Sequence, residues 1–207
     1  MTSAPSDAAN HWNQRFGSDE FVFGTEPNQF LRSHAAAFPH HGRILCVADG
    51  EGRNSVWLAR QGFQVDAFDL SEAGVAKARK LAAQAGVSVN YQVADCDSFA
   101  WSAAGYDGIA AIFVQFADPD LRKRLFAHMV ASLAPGGVLI LQGYTPKQLD
   151  YRTGGPSAVS HLYTEPMLRE AFAELEIIEL REYEAELSEG RGHHGRSALI
   201  GLVARRA

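Results

Sequence analysis

The chain has 207 residues, 46% of them hydrophobic and 21% charged, which suits one domain with a good-sized core. Its 19 Lys and Arg against 24 Asp and Glu leave a formal net charge of −5. The basic residues form no stripe, which argues against nucleic acid and anionic membrane surfaces as partners. No apolar run approaches the ~20 residues of a membrane span, and the first residues lack the basic flank and apolar centre of a signal peptide. A cytoplasmic protein is expected. Cys46 and Cys96 then read as reduced core thiols, and neither has a Cys or His neighbour at metal-ligand spacing.

In chain order, residues 1–10 are small and polar and are expected to be disordered. Residues 11–40 read as a helical cover, with a short helix around Trp12–Phe16 and another from Pro27 to about Ala37. Elements then alternate: strand 43–48, helix 54–61, strand 63–68, helix 72–85 and strand 88–93. Ser71 and Gly86 are a natural start and stop for the helix between them. A fourth strand fits Gly108–Val114, a helix runs from Pro119 to Leu133, and Pro135-Gly136-Gly137 turns into a fifth strand, Val138–Gln142. After a loop over 143–163, Thr164 caps a helix. Two final strands, Glu176–Glu186 and Arg196–Val203, follow with no helix between them and are expected to pair antiparallel at the sheet edge. The alternation predicts a doubly wound α/β fold with a mostly parallel sheet.

Residues 44–54 carry the most information. An apolar run ends in Asp49-Gly50-Glu51-Gly52, a helix begins at once, and the next strand stops at Asp69. The glycines let backbone approach a ligand, and a carboxylate at the end of the second strand is placed to bind a ribose diol. The motif points to an adenosine-type ligand. In a dinucleotide fold the position of Ser55 would be Gly or Ala for close helix packing, and the acidic loop suits a cationic, ammonium-bearing ligand better than a diphosphate. The antiparallel tail likewise departs from a nicotinamide-binding fold, which would continue with a second βαβαβ half.

Several segments together resemble the class I S-adenosylmethionine-dependent methyltransferases. They are Trp12-Asn-Gln-Arg15-Phe16 through Phe23-Gly-Thr-Glu-Pro27, the glycine turn with its Gly-Arg-Asn, Asp69-Leu-Ser, Ala94-Asp95-Cys96, Leu133-Ala-Pro-Gly-Gly137 and Tyr151-Arg-Thr-Gly-Gly-Pro156. Within that family the chain is similar to the small bacterial group of the tellurite-resistance methyltransferase, and more distantly to thiopurine methyltransferase. Two positions depart from the pattern: Cys46 stands where the family has an acid, and Ala48 replaces the first glycine of the loop. Asp49 and Glu51 place negative charge nearby as substitutes.

The resemblance implies a Rossmann-like seven-stranded sheet with an antiparallel last strand, and S-adenosylmethionine as cofactor. It implies that Gly50 and Gly52 lie under the methionine part with the cofactor-binding charge of Asp49 close by, Asp69 on the ribose, Leu70 against the adenine, and Asp95 and Cys96 at the adenine edge. Phe113 and Gln115 would line the cleft, and Arg15 would bind the cofactor carboxylate or an acceptor anion. Each has a plainer alternative: Asp69 as a solvated strand-end carboxylate, Asp95 as a turn residue, Phe113 as core. Trp12, Phe16 and Phe23 are candidates for a water-excluding cover. In the late loops, His194 and Arg152 lead the acceptor-side candidates, with Tyr151, His161 and His193 beside them. The acceptor is expected to be a small molecule, an oxyanion or a thiol-like nucleophile, handled by a monomer or weak homodimer. A nicotinamide-dependent oxidoreductase and a non-catalytic S-adenosylmethionine-binding module are the alternatives.

Overall fold

The structure is a computed structural model and describes residues 6–207. Seven strands form one sheet in the order β3-β2-β1-β4-β5-β7-β6. They are β1 (Arg43–Val47), β2 (Gln64–Asp69), β3 (Asn90–Val93), β4 (Tyr106–Ile112), β5 (Leu133–Tyr144), β6 (Leu175–Glu189) and β7 (His193–Arg206). The first five run parallel, and β7 is antiparallel to both β5 and β6. Strand order reverses between β1 and β4, so the carboxyl ends of these two strands open a crevice at the switch point.

The central strands are apolar on both sides because helices cover both faces. Leu45, Val47, Ile109, Ala111, Leu139 and Leu141 face one layer, built from α5 (Pro119–Ser132) and α7 (Glu165–Ala171). Ile44, Cys46, Ala110 and Ile140 face the other, built from α2 (Gln29–His34), α3 (Arg53–Arg60) and α4 (Glu72–Ala85). Cys46 therefore points into this second core layer, where burial holds its thiol pKa well above the usual value. Side chains set the helix starts: the Ser71 hydroxyl accepts from the Gly74 N–H at 3.0 Å, and the Asp118 carboxylate from that of Leu121 at 2.9 Å. Among the described residues no helix is long and apolar enough to cross a membrane.

Three boundaries differ from those expected. Residues 1–5, part of the segment expected to be disordered, lie outside the described residues, and 7–10 form the first turns of a helix. Helix α1 spans Asp7–Phe16, started by Ser6, whose hydroxyl accepts from the Ala9 N–H at 3.2 Å. Strand β5 begins at Leu133, because the Pro-Gly-Gly turn is absorbed as an irregularity in its pairing with β4 between Tyr106 and Gly108. The last two strands continue past their predicted ends until Glu189 faces His193, leaving only Gly190, Arg191 and Gly192 to make the turn.

That turn packs on the amino-terminal segment. Gly190 has φ +70°, and a Cβ there would lie 2.5 Å from Val22 O, Phe23 C and Gly24 N. The Gly192 N–H donates to Val22 O at 3.1 Å. Gly190→Ala combines left-handed strain with overpacking, so a loss of ~3 kcal/mol in urea unfolding is expected. A loss under ~1 kcal/mol would show that the hairpin tip does not clamp this segment.

Candidate active site

The carboxyl ends of β1, β2, β4 and β5, the amino-terminal segment and the tip of the β6–β7 hairpin enclose a cavity of about 320 Å³. Two buried carboxylates build its frame. Glu51, in the glycine loop, accepts from the N–H groups of Val22 at 2.8 Å and Phe23 at 3.4 Å, and pairs with the Lys77 ammonium at 2.5 Å. Glu189, at the hairpin tip, accepts from the Gln29 N–H at 3.0 Å and from Asn28 Nδ2 at 3.1 Å, and pairs with Arg53 at 2.7 Å. The Asn28 backbone N–H also donates to Asn54 Oδ1 at 2.9 Å. The cover is thus tied to the first βα turn on one side and to the hairpin on the other. Glu51, expected as a substitute negative charge for the ligand, is spent on this attachment.

Asp49 and Asp69 form the acidic end. Asp69 ends β2 and accepts from the Gly50 N–H at 2.9 Å and the Ser71 N–H at 2.8 Å, which joins β2 to the loop after β1. Asp49 accepts from the Ser55 hydroxyl and from the Ser55 N–H at 3.3 Å, holding the loop against the first turn of α3. Burial pushes the Asp49 carboxyl up to about 7, against the opposing pull of its bonds to Ser55, and the Asp69 charge adds to the rise. Burial likewise lifts Asp69 to about 6, opposed by the Ser71 and Gly50 N–H bonds. Both lie where a cation would lower them again.

The opposite wall is aromatic. Trp12, Phe16 and Phe23 line it from the cover, with rings of Trp12 and Phe16 stacked at 5.2 Å. Arg15 lies over Trp12 at 5.2 Å and over Phe23 at 5.4 Å. His193 is held between Phe23 at 4.6 Å and Phe113 at 4.1 Å, each tilted 24° from it, and its Nδ1 is 2.6 Å from the Tyr144 hydroxyl. Burial, with the Arg53 and Arg15 charges, drives the His193 pKa down to about 3, so the imidazole is neutral at physiological pH.

Of the residues singled out from the sequence, Asp49, Gly50, Asp69, Leu70, Phe113, Gln115 and Arg15 line the cavity. Gln115 does so with its amide already used: Nε2 donates to Tyr144 O at 2.9 Å and Oε1 accepts from the Tyr144 N–H at 2.6 Å. Gly52, Asp95 and Cys96 are not in the walls. Gly52 starts α3 at φ +92°, where a Cβ would meet the Ala78 Cβ at 2.7 Å, so helix packing requires the glycine. Asp95 is exposed and closes a turn on the N–H groups of Asp97 and Ser98, while Cys96 is core, its thiol pushed by burial up to about 12.

The acceptor-side candidates need correcting. His194 is exposed and absent from the walls, because strand β7 begins at His193 and successive side chains alternate in direction. Arg152 is the exposed left-handed cap of α6 (Gln148–Tyr151), at φ +55°. Tyr151 stacks under Arg196 at 5.3 Å, outside the cavity, and His161 is occupied with Gln115 O at 2.9 Å. Arg53 and Tyr144 are wall residues that the sequence reading passed over. Their signal was position alone: Arg53 follows the glycine turn, and Tyr144 ends β5 at the same edge of the sheet as Asp69 ends β2.

An acid whose pKa is raised by folding binds its proton more tightly in the fold than in the unfolded chain. The stability that Asp49 contributes is then full below the ordinary aspartate value of 3.8 and is lost as pH rises through about 7. Asp49→Asn should therefore gain on the wild type in urea unfolding as pH is taken from about 4 to about 8. Parallel stability curves for the two proteins would contradict this.

Comparison with known proteins places the geometry in context. Residues 44–137 match the methyltransferase domain family. A ubiquinone biosynthesis O-methyltransferase of Paramagnetospirillum magneticum is 36% identical over 54% of this chain and 48% of its own. A thiopurine S-methyltransferase of Pseudomonas fluorescens is 29% identical over 73% of this chain and 76% of its own. TehB from Haemophilus influenzae superposes with a TM-score of 0.70 at 18% identity, covering 96% of this chain and 67% of that one, which is a likeness of fold. The chain spans about half the length of the ubiquinone O-methyltransferases it matches.

Proposed function

We propose that this chain is a class I S-adenosylmethionine-dependent methyltransferase, as its methyltransferase-domain match and methyltransferase relatives support, and that it methylates a small-molecule acceptor in the cavity at the switch point of its sheet. The observation that carries the reading is the acidic end of that cavity. Two buried carboxylates with raised pKa values, Asp49 and Asp69, face it beside a glycine loop, and they favour a cationic ligand with hydroxyls to bind. When bound, S-adenosylmethionine supplies an electrophilic methyl group on a sulfonium sulfur.

The chain's own residues would then do three things. Asp69 would hold the ribose hydroxyls while its bond to the Gly50 N–H keeps the loop open beneath the methionine part. Leu70 would pack on the adenine from the same strand end. Trp12, Phe16, Phe23 and Phe113 would exclude water and align the acceptor, which is the main requirement for an in-line displacement. His193 is the imidazole in these walls, and with a pKa of about 3 it is a weak proton acceptor. A nucleophile that is already anionic, a thiolate or an ionised oxygen, needs no base and fits these walls better than a neutral amine. The names of the S- and O-methyltransferases among the relatives agree with such an acceptor.

The nicotinamide alternative is disfavoured by the sheet itself, which ends in the β6–β7 hairpin where a second βαβαβ half would be needed. A module that binds the cofactor without turnover differs only in activity, so a panel of thiol and phenol acceptors separates it from an enzyme.

Isothermal titration should show S-adenosylmethionine binding that Asp69→Ala removes and that NAD does not reproduce. Binding should also tighten as pH is raised through about 6 to 7, because the cation meets ionised Asp69 and Asp49 only above their pKa values. Unchanged affinity in the variant, or a flat profile across that range, would sink the assignment.

A further inference from the structure

The walls of the cavity are fastened unequally, and the wall that opens most easily sets the route by which a ligand passes. The amino-terminal cover is held by buried groups. Glu51 and Glu189 accept from its Val22, Phe23 and Gln29 N–H groups, Asn54 accepts from the Asn28 N–H, and Val22 O accepts from Gly192. Asn13 on α1 also accepts from the Ser71 hydroxyl at 2.7 Å and the Ala73 N–H at 3.2 Å. Lifting the cover breaks these bonds together. The loop after α6 is held differently. Its Gly154, Gly155 and Pro156 line the cavity, yet only its ends are tied to buried groups. At one end Gln148, 1% exposed, donates to Thr153 Oγ1 at 2.9 Å and to Gly154 O at 3.1 Å. At the other, Gln115, 3% exposed, donates to His161 O at 3.0 Å. Between these amides, residues 155–160 make one hydrogen bond beyond their own turn among the described residues, an exposed one from Arg122 Nη1 to Ser160 O at 2.6 Å. Val159 is 60% exposed, so the segment buries little apolar surface to hold it down. Gly154 and Gly155, at φ +146° and +83°, put permissive backbone at its start.

We propose that residues 155–160 are the gate of the cavity, a strap that swings between two fixed amides, Gln148 and Gln115, while the amino-terminal cover stays shut during ligand exchange. The proposal concerns the route into the cavity and holds for any ligand bound there. Gln148 is a fixed point because β5 parts from β7 after Tyr144 and Leu199 pair. Its Oε1 then accepts from the Ala198 N–H at 2.8 Å, and Thr153 Oγ1 donates to Arg196 O at 2.6 Å, in place of a continuing strand. Gln115 is fixed because the same amide also bonds the Tyr144 N–H and O. Both amides stay in place when the strap lifts. Gly155 lies against the Tyr144 ring, where a Cβ would come within 2.7 Å of Cδ2. Lifting the strap therefore opens the cavity beside Tyr144 and leaves the bonds of Glu51, Glu189 and Asp69 intact. An exposed segment with few buried contacts is where local opening is least costly, and lids are drawn from such segments.

Two measurements on the full chain test this. Hydrogen exchange compares amides that are all hydrogen-bonded. His161 and Leu162 donate into the strap, to Ala158 O and Val159 O, whereas Val22, Asn28 and Gln29 belong to the cover. The first two should exchange about 100-fold faster than the cover amides, or more. Cover amides that exchange as fast as these would overturn the proposal. Ligand exchange is read by stopped-flow tryptophan fluorescence, since Trp12 lines the cavity, with S-adenosylhomocysteine as the probe. Arg122→Ala removes the outside tie of the strap. It should raise the association and dissociation rates alike, by about threefold, with Kd within about twofold of wild type. Faster passage in both directions at constant affinity marks a gate, whereas a merely structural tie would raise dissociation alone and weaken Kd. That second pattern, or unchanged rates, rejects the strap as the gate. Arg191→Ala removes an exposed ion pair between the hairpin tip and Glu20 of the cover, and should leave both rates as they are. Acceleration in that variant would assign the gate to the cover instead. Failure of the wild type to bind S-adenosylhomocysteine is a different result: it condemns the methyl-transfer reading, and the hydrogen-exchange comparison then decides the strap by itself.

Discussion

Two buried carboxylates, Glu51 and Glu189, hold the amino-terminal segment across the ends of the strands, and the cavity exists because they do. Residues 22–29 have no strand partner to satisfy their N–H groups, and backbone buried without partners is costly. Glu51 accepts from Val22 and Phe23, Glu189 accepts from Gln29, and Asn28 Nδ2 donates to Gln142 at 2.6 Å. Each carboxylate is paired with a cation, Lys77 or Arg53, that belongs to the helical layer beneath. Such pairs add little net stability because desolvation offsets their attraction. Removing one partner would leave a buried charge, so they specify where the cover lies more than how tightly the chain folds.

From that frame follows the layout of charge. With Glu51 tied to the cover, the loop keeps Asp49 and Asp69 as its acidic groups, one fastened to Ser55 and the other to Gly50 and Ser71. With Glu189 tied to Arg53, the hairpin tip brings His193 between two aromatic rings and into reach of Tyr144.

The replacements at Cys46 and Ala48 also have a structural sense. Cys46 lies in the core layer with Ile44 and Ala110, where a carboxylate would be buried without a partner. Ala48 adopts φ +48°, a conformation for which glycine is the usual choice, and it still lines the cavity. The loop therefore keeps its path, with Asp49 as a buried carboxyl three residues on.

Local pattern was enough to read the alternation of strands and helices, the glycine turn, the strand-end carboxylate Asp69 and the aromatic cover. Each of these depends on residues close in the chain: a hydroxyl that caps a helix, an apolar run that ends in a polar residue, a glycine where backbone must bend. The acceptor side was not legible in the same way. Whether His193 or His194 faces inward depends on where β7 begins, and that depends on Gly190 and Gly192 packing against Val22 and Phe23, some 170 residues earlier in the chain. Arg53 gains its meaning from Glu189, which is 136 positions away. The sequence alone determined the fold class and placed the glycine turn and Asp69 at the ends of neighbouring strands, because short-range chemistry encodes both. Only the tertiary structure decided which side chains meet across the cavity, because that meeting is set by long-range packing and by the parity of a strand.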